Sequence, residues 1–221
     1  MKWIKKSEIF VPSQELELPK KHHSLADWDF RAGEVYALDN AVYMSAPSSL
    51  RITGPDGENN FTTCLNRDAS CLNLPQGRLE TQFRVGDFTN EGNPQISFRN
   101  QGALNSIDDD NTYYIRIGAN TNTLYKRVAA TETKLGTWGG NHFNLTWYRE
   151  RITWWNEAPV LLIRYEYWDG SAWVIVTPDI TDSSPDFGDS STNRCGLGFY
   201  IRAPSNNRNF WYDDTMIYGP A

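Results

Sequence analysis

The sequence predicts an all-β fold in which two antiparallel sheets pack face to face as a sandwich. From about residue 28 onward, short runs alternate apolar with polar residues and are rich in aromatic and β-branched side chains. The separators, such as TGPDGENN and WDGSA, contain the Gly, Pro, Asn and Asp residues that favour turns. No window keeps a helical period over its apolar positions, so an alternation of strands with helices is not expected.

About eleven runs have the length and composition of strands. In chain order they are AVYMSA (41–46), SLRIT (49–53), RLETQFRV (78–85), PQISFR (94–99), TYYIRIG (112–118), TLYKRVA (123–129), FNLTWYRERITWW (143–155), VLLIRYEYW (160–168), AWVIVT (172–177), GLGFYIRA (196–203) and NFWYDDTMIYG (209–219). Aromatic residues mark the longest runs, and β-branched residues mark SLRIT and AWVIVT. GTWGGNHF (136–143) is rich in glycine and is predicted to be a turn.

Composition narrows the classes of function. The chain has 221 residues, a hydrophobic fraction of 39% and a formal net charge of −6, which suits one all-β domain. No basic stripe marks a nucleic-acid surface, so no nucleic-acid partner is expected. No stretch approaches the length of a membrane span, and MKWIKKSEIF lacks the apolar run of an export signal. The location stays open, with a virion as one candidate.

Residues 1–24 are predicted to form an extended N-terminal arm, and residues 25–221 the sandwich domain. The arm contains Pro12 and Pro19 and mixes charges with isolated apolar residues. Those apolar residues are Trp3, Ile4, Ile9, Phe10, Val11, Leu16 and Leu18. Lys and Glu residues between apolar ones suit the polar rim of an interface, so we expect the arm to contact other protein subunits. The alternative is an edge strand that folds back on its own domain.

Alternation along the strands also predicts a polar face, because successive side chains of a strand point to opposite sides of a sheet. If the strands share one sheet, its outer face carries Arg, Glu and Gln with aromatic residues. Such a face could bind a polysaccharide through guanidinium donors and stacked rings. The candidate carbohydrate-binding residues are Arg84, Arg99, Tyr114, Arg116, Arg164, Glu166 and Trp168. The alternative is a solvated surface of cross-strand charge pairs.

The closing segment FWYDDTMIYG places Asp213 five residues before Tyr218. It resembles the last strand of the concanavalin A-like lectin/glucanase superfamily, which includes laminin G-like domains and family 16 glycoside hydrolases. That strand usually has Arg where Met216 stands. GLGFYIRA resembles the penultimate strand, WDGSAWVIV a hairpin, and SAPSSLRI the early strand that pairs with the last one. The resemblance covers about residues 28–219 and implies a two-sheet antiparallel jelly-roll sandwich.

The resemblance also implies a calcium ion, because the superfamily often holds one near the aspartate of the closing strand. Asp213 is therefore the candidate metal ligand, with Asp27 or Asp29 as a further ligand. Calcium requires six to eight oxygen ligands. The alternative is that Asp213 accepts hydrogen bonds from backbone groups near the end of a strand.

Catalytic residues are not predicted. Family 16 hydrolases carry an E-x-D-x-x-E strand, and no such segment exists in this chain. The chain also resembles alginate lyases of polysaccharide lyase family 7, which use R-x-E-L-R and Q-I-H strands. RLETQFR and QIS would place Arg78, Glu80 and Gln95 at matching positions, but Ser97 stands where that family has His. Proton abstraction beside a carboxylate needs a base, which Ser97 does not supply.

The sequence therefore favours a non-catalytic structural or adhesion protein with a lectin-like jelly roll, such as a virion surface or tail component. A carbohydrate-binding module is the first alternative. A polysaccharide lyase or glycoside hydrolase with an atypical site is the second. Fold alone does not separate these functions.

Overall fold

A computed structural model of the chain describes residues 20–21, 24–30, 35–45, 47–54, 62–67, 74–88, 92–101, 111–186, 193–200 and 208–219. Across these ranges the chain forms sixteen strands and one short 3-10 turn, and all strand pairs are antiparallel. The strands belong to two sheets. The predicted all-β, two-sheet antiparallel sandwich is confirmed.

The strands are β1 (Lys20–Lys21), β2 (Trp28–Phe30), β3 (Val35–Asp39), β4 (Ser49–Gly54), β5 (Thr62–Asn66), β6 (Gly77–Val85), β7 (Asn93–Asn100), β8 (Thr112–Ile117), β9 (Thr121–Val128), β10 (Thr131–Gly139), β11 (Tyr148–Glu157), β12 (Val160–Trp168), β13 (Trp173–Ile175), β14 (Ile180–Asp182), β15 (Arg194–Tyr200) and β16 (Arg208–Tyr218). The nine-stranded sheet has the order β13-β12-β11-β6-β16-β4-β3, with β1 paired to β16 and β14 paired to β12. The seven-stranded sheet has the order β10-β9-β8-β7-β15-β5-β2.

The core lies between the two sheets and is built from the apolar half of each alternating strand. Leu79 and Phe83 of β6 face it from the nine-stranded sheet, and Ile96 and Phe98 of β7 face it from the seven-stranded sheet. The rings of Phe98 and Trp154 stack across the interior with centroids 4.7 Å apart. Each such side chain stabilises the fold by about 1.5–3 kcal/mol through burial.

Strand neighbours match the order that the resemblance implies. The last strand, β16, lies between β6 and β4, so the early segment SLRIT pairs with the closing strand. The β12–β13 hairpin turns at WDGSA, where Asp169 Oδ1 accepts the amides of Ser171 and Ala172 at 2.7 and 2.8 Å. Gly170 has φ +102°, which favours glycine. The predicted hairpin is confirmed.

The predicted strand AVYMSA (41–46) is wrong in its described part, because residues 41–45 form bends. Asp39 Oδ1 accepts the amides of Ala41 and Val42 at 2.9 and 3.0 Å, so a side chain takes donors that a strand would give to its neighbour. The real strand lies just before, at β3.

The predicted turn at GTWGGNHF is also wrong in part, because β10 runs through Gly139. A bulge between Lys134 and Gly136 interrupts its pairing with β9. A Cβ atom at Gly136 would lie 2.8 Å from Ile180 Cδ1, so glycine permits a close approach of β10 to β14 there. Gly136 therefore serves packing inside a strand rather than a turn.

The predicted arm lies mostly outside the described residues. Within the described part, the backbone of Lys20 and Lys21 pairs with Ile217 and Met216 of β16. The end of the arm therefore belongs to the sheet of its own domain. Among the described residues, no helix has the length and apolar character needed to cross a membrane.

Candidate functional site

The candidate carbohydrate-binding residues lie on both sheets. Arg84 of β6 and Arg164, Glu166 and Trp168 of β12 belong to the nine-stranded sheet, whereas Tyr114 and Arg116 of β8 belong to the seven-stranded sheet. Their strands do not share a sheet, so the condition for a single polar face that carries all of them is not met. Alternation tells which side chains point away from the core, but it does not tell which sheet a strand joins.

The outer face of the nine-stranded sheet is a lattice of ion pairs between neighbouring strands. Arg151 binds Glu166 through two contacts of 2.7 and 2.9 Å. Arg164 binds Asp179 in the same bidentate way at 2.7 and 2.8 Å. Arg149 Nε lies 2.7 Å from Glu80 Oε1. These guanidinium groups already have carboxylate partners.

Tryptophan rings complete this lattice. The guanidinium of Arg151 lies 4.1 Å from the ring centre of Trp173, and that of Arg149 lies 5.4 Å from Trp168. Arg84 lies 5.3 Å from Trp211 in the same way. This face thus fits the alternative raised from the sequence, a surface of cross-strand charge pairs.

The outer face of the seven-stranded sheet has a different character, because a single arginine is surrounded by tyrosines. The guanidinium carbon of Arg116 lies 3.8 Å from the ring centre of Tyr200 and 4.8 Å from that of Tyr125. Tyr114 stacks on Tyr125 at 5.3 Å and donates a hydrogen bond of 2.5 Å to Glu132. Arg116 Nη2 lies 3.6 Å from the same carboxylate.

Gln95 of β7 lies opposite Arg116 of β8 in the register of the sheet. Both polar atoms of the Gln95 side chain, and Nε of Arg116, are buried and have no hydrogen-bond partner among the described residues. A buried polar group without a partner costs about 1–3 kcal/mol, so a ligand or water that supplied one would be favoured here. We call Gln95, Tyr114, Arg116, Tyr125, Glu132 and Tyr200 the Arg116 cluster.

Tyr114 is held as a neutral phenol in this cluster. Burial raises its pKa, the charge of Arg116 offsets only part of that rise, and the hydrogen bond to Glu132 adds to it. The phenol proton is already directed to the Glu132 carboxylate. Tyr114 is therefore suited to hydrogen bonding and stacking rather than to accepting a proton.

Arg99, another predicted binding residue, uses its terminal nitrogen Nη2 for hydrogen bonds within the protein. Its Nη2 donates to the carbonyl of Pro75 at 2.6 Å and to Asn156 Oδ1 at 2.7 Å. Arg99 has φ +50°, and the β7–β15 register shifts beside it, which breaks the alternation on which the prediction relied. The prediction of Arg99 as a surface binding residue is thus corrected: its buried side chain links parts of the fold through hydrogen bonds.

The residues that matched the lyase strands are not brought together. Arg78 and Glu80 project from the nine-stranded sheet, where they contact Thr153 and Arg149. Gln95 projects from the seven-stranded sheet. The two groups lie on opposite outer faces of the sandwich and cannot act on one substrate unit.

Asp213 does not fit the calcium ligand that the resemblance implies. Its carboxylate accepts the amides of Met44, Ser45 and Asp214 at 2.7, 2.8 and 2.7 Å, and the hydroxyl of Ser45 at 3.0 Å. Donors of this kind repel a cation. Asp29 instead binds Arg67 and Arg194. No group of three or more His, Cys, Asp or Glu side chains in the described ranges could hold a metal ion.

A pocket of about 470 Å³ opens between the sheets, and it was not predicted from the sequence. Its wall includes His142 and Glu150, whose side chains lie 2.6 Å apart and are both buried. Glu150 occupies an inward position of β11, whereas the next inward residues, Ile152 and Trp154, are apolar core residues. The signal available in the sequence was a glutamate at a position of β11 where the alternation calls for an apolar residue.

Comparison with solved structures identifies the architecture. An endo-β-1,4-glucuronan lyase from the fungus Trichoderma reesei superposes with a TM-score of 0.63 at 15% identity, covering 92% of this chain and 95% of that chain. The chain has a concanavalin A-like jelly-roll fold. The exoplasmic/lumenal domain of VIP36 in its Ca²⁺/Man3GlcNAc-bound form has a TM-score of 0.55 at 12% identity, covering 91% and 90%. The carbohydrate-binding module CBM66 from Bacillus subtilis has a TM-score of 0.53 at 12% identity, covering 87% and 96%.

The resemblance to the concanavalin A-like superfamily is thereby confirmed at the level of the fold. No protein-family model matches the sequence, and no curated protein matches it. At these identities the concanavalin A-like fold is shown and its function is not, because the same fold carries binding and catalytic proteins.

Proposed function

We propose that this chain is a carbohydrate-binding protein that holds a polysaccharide on the Arg116 cluster. The observation that carries the proposal is the pair formed by Gln95 and Arg116: both polar atoms of the Gln95 side chain and Nε of Arg116 are buried and have no hydrogen-bond partner among the described residues. They lie in neighbouring strands at the same register position, so one sugar unit could reach both. Hydroxyl groups both donate and accept, which suits an amide beside a guanidinium.

The tyrosines around Arg116 supply the apolar part of such a site. Tyr125 and Tyr200 are half-buried, so part of each ring remains accessible to the C–H face of a pyranose. Sites that combine aromatic rings with a few polar groups are typical of ligand binding. The names of the structural neighbours support this class of ligand, since they include a Man3GlcNAc-bound domain, a carbohydrate-binding module and a glucuronan lyase.

We propose a binding role rather than a cleaving one. Ser97 lies opposite Tyr114 in the register, and the described part of this face holds no histidine. Because the pKa of Tyr114 is raised, this phenol does not supply the missing base.

The test is a polysaccharide panel that includes glucuronan, alginate and neutral β-glucans, followed by titration calorimetry on the variants Arg116→Ala and Gln95→Ala. Arg164→Ala is the matched control, because it removes an arginine from the outer face of the other sheet. We expect at least a tenfold loss of affinity in Arg116→Ala and Gln95→Ala and none in Arg164→Ala. Unchanged binding in the first two variants, or loss in the control, would overturn the proposal.

A role in assembly stays a separate proposal for residues 1–19. Its support is their sequence, in which Trp3 and six further apolar residues alternate with charges. A virion surface or tail component would use such an arm to contact neighbouring subunits. Deletion of residues 1–19 keeps β1 and should leave the sandwich folded while abolishing assembly, as measured by light scattering. A full-length chain that is monomeric at all concentrations would contradict this role.

A further inference from the structure

The pocket between the sheets is separate from the Arg116 cluster, and at its rim it shares Arg149 and Trp168 with the outer face of the nine-stranded sheet. Its wall is formed by residues of β9, β11 and β12, by the last residue of β10 and the segment that follows it, and by the residue after β13. Its lining includes the side chains of His142, Tyr148, Glu150, Tyr165, Tyr167 and Trp168. Its volume of about 470 Å³ lies within the range of small-molecule sites, roughly 300–1,000 Å³.

The charges of the ionisable groups in the pocket are neutralised by partners within the protein. His142 Nδ1 lies 2.9 Å from the carbonyl oxygen of Gly118, so Nδ1 carries a proton and donates. The other ring nitrogen lies 2.6 Å from Glu150 Oε1, and one proton lies in that hydrogen bond. Whichever atom holds this proton, the His142–Glu150 pair has no net charge. Arg149 at the rim is paired with Glu80.

Two buried polar atoms of the wall have no partner among the described residues. They are Oε2 of Glu150 and the hydroxyl of Tyr165, and both side chains are only about 1% exposed. Oε2 lacks a donor, and the Tyr165 hydroxyl can both donate and accept. A ligand hydroxyl is a group that satisfies both atoms.

Aromatic rings frame the pocket. Tyr167 is 41% exposed, and Trp168 beside it is held by the guanidinium of Arg149 at 5.4 Å and by the edge of Trp173 at 5.6 Å. Tyr148 meets the His142 ring edge-on at 4.6 Å. Rings fixed in this way offer flat apolar surfaces without further loss of side-chain freedom.

We infer that this pocket binds an uncharged, hydroxyl-rich ring of monosaccharide size, as presented by the end of a glycan chain. The inference goes beyond the proposed function, because it concerns a second site on a different part of the sandwich. Charge decides against an ammonium ligand, because Glu150 is already compensated by His142. Charge also decides against an anion, because Arg149 is already compensated by Glu80.

The experiment uses the full chain and three neutral probes: methyl β-D-glucopyranoside, methyl α-D-mannopyranoside and methyl β-D-galactopyranoside. Glucuronate and tetramethylammonium are the charged probes. Binding is followed by NMR shift changes of the His142 ring and the Trp168 indole in the unaltered protein. At least one neutral glycoside should shift both signals, and neither charged probe should bind as tightly.

Variants then assign the polar atoms. Tyr165→Phe removes one hydroxyl and Glu150→Gln removes one carboxylate oxygen, and each should weaken glycoside binding at least tenfold. Tyr218→Phe is the matched control for the first change and should not alter binding. The inference is overturned if no neutral glycoside shifts these signals, if a charged probe binds more tightly, or if Tyr165→Phe binds like the unaltered chain. The NMR shift changes are measured on the unaltered protein, so they test the inference even if Glu150→Gln fails to fold.

Discussion

His142 Nε2 lies 2.6 Å from Oε1 of Glu150, and both side chains are buried between the two sheets. Burial lowers the pKa of His142, but the hydrogen bond to Glu150 and its charge outweigh that effect, so the pKa is raised above 6.5. Burial raises the pKa of Glu150 above 4.5, and the hydrogen bond with His142 offsets only part of the rise. The folded pair therefore keeps a proton that the unfolded chain releases near neutral pH.

The first prediction follows from this proton. Above pH 6.5 the unfolded chain has neutral His142 and ionised Glu150, whereas the folded pair still binds one proton more. The stabilisation that the folded state gains from this bound proton is thus present below pH 6.5. It is lost as the pH rises through the raised pKa of the folded His142–Glu150 pair. The free energy of unfolding should fall with a slope of up to about 1.4 kcal/mol per pH unit. Urea titrations between about pH 6 and 9 measure it.

The control for this slope is Glu150→Gln, which keeps the shape of the side chain but cannot share the proton as a carboxylate. Its stability should depend less on pH over the same interval. Equal slopes in the variant and the unaltered chain would show that another group is responsible.

The second prediction concerns Asp213, which fastens the bends at residues 41–45 to the closing strand. The variant Asp213→Asn removes the charge and replaces one acceptor oxygen by an amide donor that faces the amides of Met44 and Ser45. Loss of one charge-assisted hydrogen bond and exposure of an unpaired donor should lower the free energy of unfolding by about 3 kcal/mol. Denaturant titration measures this change.

Calcium removal gives the complementary result at Asp213. Because donors rather than open positions surround this carboxylate, a chelator should leave the melting temperature unchanged, and added calcium should not raise it. A melting temperature that falls on chelation would contradict this account and restore the ligand role that the resemblance implied.

More of the fold than of the candidate site could be predicted from the sequence, and Arg116 and Arg164 show why. Both occupy outward positions of regular strands, and alternation identified both correctly as facing away from the core. Their sheets differ because β8 and β12 find their neighbours through contacts distant in sequence, which alternation does not encode. The same limit hid the His142–Glu150 pair, which needs the end of β8 at Gly118 to fix the ring.

Local chemistry explains the remaining errors. AVYMSA has the composition of a strand, but the carboxylate of Asp39 captures two of its amides. GTWGG has the composition of a turn, but Gly136 lies in β10 against Ile180 of β14. Each outcome depends on a contact with a neighbouring residue, and the pattern of residue types does not predict that contact.

The third prediction concerns Lys126, which is buried at an inward position of β9. Its ammonium lies 3.1 Å from Asp182, 3.0 Å from Asp186 and 2.7 Å from the carbonyl of Ser184. Lys126→Met would leave the buried Asp182 carboxylate without its cation, which should cost about 3–5 kcal/mol of stability. The double variant Lys126→Met/Asp182→Asn should recover part of that loss. A double variant no more stable than Lys126→Met would show that the cost lies in packing instead.

The last prediction is that the chain does not cleave acidic polysaccharides by elimination. Such a reaction needs a group that removes a proton beside the sugar carboxylate. On the Arg116 cluster the candidate group is Tyr114, but its pKa is raised and its proton is engaged by Glu132. Ser97 lies opposite it, and a serine hydroxyl without a neighbouring base does not remove such a proton. Incubation with glucuronan and alginate should therefore give no ultraviolet absorbance from an unsaturated product, even where calorimetry detects binding. Turnover that disappears in Tyr114→Phe while binding persists would prove this wrong, since it would mean that substrate binding displaces Glu132 and frees the phenol to react.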